Sequence, residues 1–328
     1  MSDADVTRGG QEDVRPGREA RTWSSGGGRR AGPHDHPDAS YYGRPVIKEP
    51  TWEALDIAGY LFTGGLAGAS SILALGADLT GRPRMARACG VCAAGSIGVS
   101  LVALVHDLGR PERFLHMLRV FKPTSPMSVG TWILVAYAPL ASASAASDVL
   151  GVAPRVGRSA RVGAGLLGAA VATYTAALVG NTAVPTWQGA RRQLPFLFAG
   201  SAASAASGFA LIAAPLAENA PARRMAALGT LVELAAEHRM ESALGVSAET
   251  LQRGTAGTRL RAARLLAAVG AIGATTVARR SRPLAAASGA ALLASSALTR
   301  FGLFEAGVAS ARDPRYTVEP QRERLEQR

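Results

Sequence analysis

The stretch ACGVCAAGSIGVSLVALV, residues 88–105, carries no charged side chain. Continued back to residue 86 it reaches about 20 residues, enough to cross a hydrocarbon core at about 1.5 Å per residue. Working outward, seven further apolar runs lie at 54–77, 127–147, 162–180, 194–217, 222–236, 260–278 and 283–304. A water-soluble core does not repeat near-spanning runs so regularly, because its helices need polar faces between them. The expected fold is an all-α integral membrane protein with eight transmembrane helices. Two runs fit least well: 222–236 is short and holds Glu233, and 260–278 opens with Arg261 and Arg264.

Mean hydropathy is only mildly positive because the first 50 residues are polar and the helices are built from Ala and Gly more than Leu. Small residues let helix backbones approach closely, and Gly64, Gly68 and the Gly163/Gly165/Gly168 face have that pattern. The formal charge of +12 could suggest nucleic acid, but the basic residues are placed for a lipid bilayer. Eleven arginines gather at the odd-numbered connections: Arg82, Arg84, Arg87; Arg155, Arg158, Arg161; Arg223, Arg224; Arg279, Arg280, Arg282. The even connections are longer, and their basic residues are diluted by Asp107, Glu112, Glu237, Glu241 and Glu249. The positive-inside rule then puts the odd connections in the cytoplasm and both termini outside, in the cytoplasmic (inner) membrane.

Residues 1–40 form a polar tail with no apolar period, expected to be disordered. It has no apolar signal core, so the first membrane helix is expected to direct insertion. The Arg29-Arg30 pair lacks the apolar run that a twin-arginine signal needs. A second polar tail is expected at 309–328.

Cofactor chemistry narrows by what is missing. A haem subunit needs axial ligands, usually histidines within helices, yet His34, His36, His106, His116 and His238 fall in the tail, in loops or at helix ends. Cys89 and Cys92 are the only cysteines. Two thiolates do not complete a zinc or iron-sulfur site, and small packing residues are the expected role. There is no phosphate-binding glycine loop and no nucleophilic triad. The expectation is therefore no haem and no metal in this chain, with chemistry left to an external or lipid-soluble cofactor.

The polar residues at the outer boundary carry the rest. The loop HDLGRPERFLHMLRVFKPTSPMSVGTW, residues 106–132, is long for a connection between neighbouring membrane helices, which marks it as functional. With the termini outside, four helices bring polar ends to this side: Trp52, Glu53 and Asp56; His106 and Asp107; Lys122, Ser125 and Ser128; and Tyr174 with Asn181, followed by Trp187. Glu53 and Asp56 share a helical face, and Tyr174 lies about two turns below Asn181, where its hydroxyl needs a partner. Such a cluster could hydrogen-bond the carbonyl oxygens of a quinone and exchange its protons; it could equally be a solvated rim with aromatic-belt residues. Glu233 has two readings as well, a proton relay within the second half, or a boundary residue near Glu237 and Arg239 where a short helix ends early.

Several long motifs in order give the chain a family resemblance: YYGRPVIKEPTW at 41–52, GYLFTGGLAG at 59–68, HDLGRPERF at 106–114, FKPTSPMSVGTW at 121–132, TYTAALVGNTAVPTW at 173–187 and RFGLFEAG at 300–307. In these the sequence resembles the NrfD-like subunits, the family of the polysulfide reductase membrane anchor, over nearly everything after the tail. The resemblance implies two four-helix bundles, at 41–193 and 194–308, with a quinone site (menaquinone or ubiquinone) in the first. It also implies docking to a ferredoxin-like iron-sulfur subunit that contacts a molybdopterin catalytic subunit, of formate dehydrogenase type or of polysulfide or nitrite reductase type. The family's quinone tyrosine matches Tyr174. The family's first-helix Asn/His pair falls near Glu53 and Asp56, a departure from type. Asp107 and Arg110 match the D-L-G-R-P motif, with Arg110 expected to bind the Asp or helix-end carbonyls. Trp52, Arg110, Arg113 and Lys122 are the expected docking residues. A transporter or channel, and a purely structural anchor, are the alternatives; a transporter should show repeated halves with broken helices, and no repeat is visible between 50–190 and 190–310.

Overall fold

The computed structural model describes residues 46–110 and 112–326, Arg324 by its backbone only. The tail at 1–40, and with it Arg29-Arg30, His34 and His36, lies outside the described residues, as does the YYGRP start of the first motif. Among the described residues the chain is entirely helical. Each predicted apolar run forms one long helix: α1 Ala54–Leu79, α2 Pro83–Asp107, then, after the short α3 Glu112–Met117, α4 Pro126–Leu150 and α5 Pro154–Gly180. The short α6 Pro185–Gly189 leads to α7 Leu194–Ala213 and α8 Ala220–Ala243. A one-turn 3-10 segment at Gly245–Ala248 and α9 Glu249–Gln252 connect to α10 Gly254–Thr276, α11 Arg282–Arg312 and α12 Arg315–Glu326. Proline opens α2, α4, α5, α7, α8 and α11 within their first two positions, where its missing N–H costs nothing.

Six helices, α1, α2, α4, α5, α7 and α11, are long and apolar enough to cross a membrane. The chain is therefore a multi-pass membrane protein. α8 and α10 fall short on composition, and their geometry explains why. Their apolar residues Leu228 and Leu231, and Leu265, Val269 and Ile272, are exposed, while the polar ones turn inward: Arg264 Nε of α10 donates to Glu237 of α8 at 2.9 Å and its Nη2 to Glu241. α8 also runs seven residues past the predicted end at 236. The expected polar C-terminal tail is helical, occupied by the end of α11 and by α12.

α1, α2, α4 and α5 pack on one another, as do α7, α8, α10 and α11, and α1 touches both α7 and α11. The pattern of pairs is the same in each set: first helix on second, third on fourth, first on fourth, second on third. So is the tightest crossing. A Cβ on Gly68 of α1 would run into the Gly168 carbonyl of α5, and one on Gly208 of α7 would run into the Gly289 carbonyl of α11, in both cases reciprocally. The halves thus share a packing pattern although no repeat is visible between their sequences. The long helices are nevertheless continuous, without the midplane breaks of a transporter, although Pro139 sits inside α4.

Candidate functional site

Residues 106–110 and 112–125 form a cap over the ends of α2 and α4. α2 ends at Asp107, Gly109 takes a positive φ of 68°, and Arg113 Nη1 donates to the Leu108 carbonyl at 3.0 Å. Arg113, not Arg110, therefore satisfies the helix end. Arg110 is exposed and pairs with neither Asp107 nor any other side chain among the described residues. Further on, Ser125 Oγ accepts from the Ser128 amide at 3.4 Å and caps α4. Ser128 Oγ donates to Val120 O at 3.1 Å and accepts from the Lys122 amide at 3.0 Å, folding 118–125 onto the helix start.

Beneath this cap is a narrow cavity of about 50 Å³ lined by Trp52, Tyr60, Asp107, Met117, Met127, Gly130, Thr131 and Tyr174, with Ile57, Leu104, Leu108, Leu134 and Leu178. It has room for a few waters at about 10–15 Å³ each and is too small for an aromatic ring. Met117 of α3 and Met127 of α4 are the adaptable parts of the wall, and Thr131 Oγ1 donates to Met117 Sδ at 3.8 Å, tying α3 over the opening. The Tyr174 hydroxyl is buried and has no hydrogen-bond partner. Its ring lies edge-on to Tyr60 at 6.5 Å and rests on Gly130, where a Cβ would come within 2.5 Å of the ring. The glycine of the SVGTW motif is thus what leaves room for the tyrosine.

At the mouth, His106 Nδ1 is 2.7 Å from Asp56 Oδ2, linking the ends of α2 and α1. The imidazole is 72% exposed and the carboxylate 15%. Asp107 lies beside the backbone amide of Glu53, the N-cap residue of α1. Of the expected residues, Tyr174 and Asp107 line the cavity, and His106 and Asp56 lie beside Asp107 without lining it. Glu53 contributes position more than chemistry, because its side chain is exposed. Asn181 is exposed at the C-terminal end of α5 and does not line the cavity. Lys122 is exposed, as are Arg110 and Arg113.

Trp187, expected at the membrane boundary, is fully buried. Its Nε1 donates to Leu303 O at 2.9 Å, and its ring stacks on Trp52 at 5.8 Å and tilts against Phe304 at 5.7 Å. Trp52 is half-buried, so this expected docking residue also serves as a wall between the cavity and α11.

A second polar centre lies in the other helix set. Glu233 is 3% exposed and Thr299 Oγ1 donates to its Oε1 at 2.9 Å, with Ser201, Ser204 and Arg300 around it. This overturns the boundary reading: α8 does not end early, and Glu233 faces the interior. Arg300, 1% exposed, donates through Nη2 to Phe198 O at 3.0 Å and sits over the Phe198 ring at 3.6 Å. Glu233 Oε2 and Arg300 Nε and Nη1 have no hydrogen-bond partner. One and two turns along α8, Glu237 and Glu241 hold Arg264. Arg300 lies within the apolar run 283–304, where its charge was not weighed as part of a site. Cys89 and Cys92 are free and buried, as packing residues are.

Fold and site define a multi-pass helical membrane protein with a capped, mostly apolar cavity at one end that holds Tyr174 and Asp107. The family described as polysulphide reductase, NrfD, matches residues 48–258, well over half of the chain, and the protein belongs to that family. Membership makes it a membrane subunit of polysulphide reductase type. No curated protein matches the chain.

Proposed function

We propose that this chain is the quinone-reactive membrane anchor of a molybdopterin oxidoreductase, crossing the bilayer eight times as two four-helix bundles and passing electrons between quinone and an iron-sulfur subunit. The observation that carries the reading is the Tyr174 hydroxyl, buried without a partner in a cavity that also presents Asp107. An orphaned buried hydroxyl costs about 1–3 kcal/mol, and a ligand carbonyl oxygen removes that cost. Apolar outer faces on α8 and α10 support their crossing the membrane with the other six.

A quinone held there would supply two-electron, two-proton chemistry. Tyr174 donates the hydrogen bond that orients its head. Asp107, beside the α1 amides, fixes the second side of the cavity. The His106–Asp56 pair reaches from bulk water to the mouth and can hand protons inward, since imidazole exchanges them near neutral pH. Met117 and Met127 must swing aside to admit the ring. The exposed Arg110, Arg113 and Lys122 on the same cap give a basic surface for an acidic ferredoxin-like subunit, which a molybdopterin subunit of formate dehydrogenase type or a relative would reduce or oxidise.

Tyr174→Phe tests the reading. The variant should assemble normally, and turnover with a quinone analogue should fall several-fold to tenfold, the worth of one hydrogen bond at about 0.5–1.5 kcal/mol. Unchanged turnover in an assembled complex would reduce Tyr174 to a packing residue.

Orientation has its own test. Both native cysteines are buried, so introduced ones report cleanly. Thr124→Cys, in the exposed cap, should react with an impermeant thiol reagent in intact cells, and Arg158→Cys should react only after the membrane is opened. The reverse pattern would turn the protein over and place the quinone site on the cytoplasmic side.

A further inference from the structure

At the end of the first helix set opposite the cap, a cavity of about 500 Å³ in scale, 510 Å³ in this structure, lies between the α1–α2 and α4–α5 turns. Four guanidinium groups line it, Arg87, Arg155, Arg158 and Arg161, against two carboxylates, Asp78 and Asp148. The carboxylates are committed. Arg161 Nη1 is 3.0 Å from Asp78 and its Nη2 is 2.5 Å from Asp148, while Arg158 Nε is 3.3 Å from Asp78. An excess of two positive charges remains. Arg87 and Arg155 have no hydrogen-bond or ion-pair partner among the described residues.

Arg161 itself is built in. Its side chain is 9% exposed, and its Nε–H has no partner. The N-terminus of α5 ends at this cavity through Pro154, with no side-chain cap and no acidic residue in its first turn, whereas the Met85 amide of α2 already donates to Glu218 Oε2 at 2.8 Å. The free amides at the start of α5 add positive potential. The α4–α5 turn is bent to bring them there: Gly151 and Ala153 take φ of 70° and 48°, and Ser147 Oγ holds the turn by donating to Val152 O at 2.7 Å.

We propose that this cavity binds a phosphoryl oxyanion, supplied by the headgroup of an anionic phospholipid. The chemistry fits on three counts. Guanidinium groups pair with phosphate in bidentate fashion. The excess charge calls for an anion. The cavity lies at the ends of four membrane helices, the level of lipid phosphates, and basic pockets between such helices are a known form of headgroup site. The site lies apart from the quinone cavity, and it stands whether or not the quinone reading does.

The full chain in nanodiscs of phosphatidylcholine, with and without one part in ten phosphatidylglycerol, provides the test, read by native mass spectrometry of retained lipid and by melting temperature. The wild type should retain phosphatidylglycerol selectively. The Arg87→Gln/Arg155→Gln variant leaves the Asp78–Arg161–Asp148 ion pairs intact and should bind it roughly thirtyfold more weakly, each arginine being worth about fivefold near an anionic headgroup. A parallel arm in neutral detergent adds inorganic phosphate alone. Stabilisation by millimolar phosphate without retention of phosphatidylglycerol would overturn the lipid source and assign the site to the free ion. Equal phosphatidylglycerol retention by the wild type and a variant of unchanged melting temperature would overturn the site altogether, and Ser96→Ala, remote from the cavity, controls for non-specific loss.

Discussion

Glu233→Gln is expected to abolish proton movement across the membrane while electron transfer to a quinone analogue persists. The substitution keeps the shape and the Thr299 hydrogen bond and removes only the exchangeable charge. A carboxylate at this depth costs at least about 2.5–3.5 kcal/mol to insert, so its presence calls for a return in structure or function. A structural return is incomplete, because Oε2 has no partner. Glu237 and Glu241 follow at one-turn intervals on α8, both paired with Arg264. Reconstituted complexes with a pH-sensitive dye inside the vesicles should show proton uptake or release reduced by at least tenfold, at unchanged quinone turnover. Coupled movement at the wild-type rate would leave Glu233 as a neutraliser of Arg300 alone.

Gly307→Ala is expected to disable the proposed quinone site from the other helix set. The added Cβ would fall inside the Trp187 indole, so the ring must leave its pocket. Leaving breaks the bond to Leu303 O and the stack on Trp52, which lines the Tyr174 cavity. Overpacking costs about 1–3 kcal/mol and the lost hydrogen bond about 1 kcal/mol more. Thermal unfolding should move down by several degrees, and quinone turnover should fall at least tenfold. Gly98→Ala in α2, with nothing near its Cβ, should leave both unchanged. Similar behaviour of the two variants would mean that Trp187 repacks freely and does not brace the site.

Apolar run length located every long helix, since hydrophobic span is a property of the sequence alone. It misplaced the end of α8 because the composition of 237–243 is polar, and only the tertiary pairing with Arg264 shows that Glu237 and Glu241 turn toward α10. Tyr174, Asp107, His106 and Asp56 were legible as polar residues at helix ends on a common side. Asn181 looked equivalent by the same criterion, but the C-terminal end of α5 turns it outward. Two things were beyond reach of the residues: that Arg113 rather than Arg110 closes α2, which depends on the course of the loop after Gly109, and that Arg300 lies inside the protein, which depends on where α7 brings the Phe198 carbonyl.

The matched glycine crossings bear on how this chain can change over generations. Each half is held at its closest point by two residues, Gly68 with Gly168 and Gly208 with Gly289, and lipid-facing positions around them need only stay apolar. Substitutions can therefore accumulate through most of either half without disturbing its backbone. Such tolerance lets the two halves keep one packing geometry while sharing little sequence.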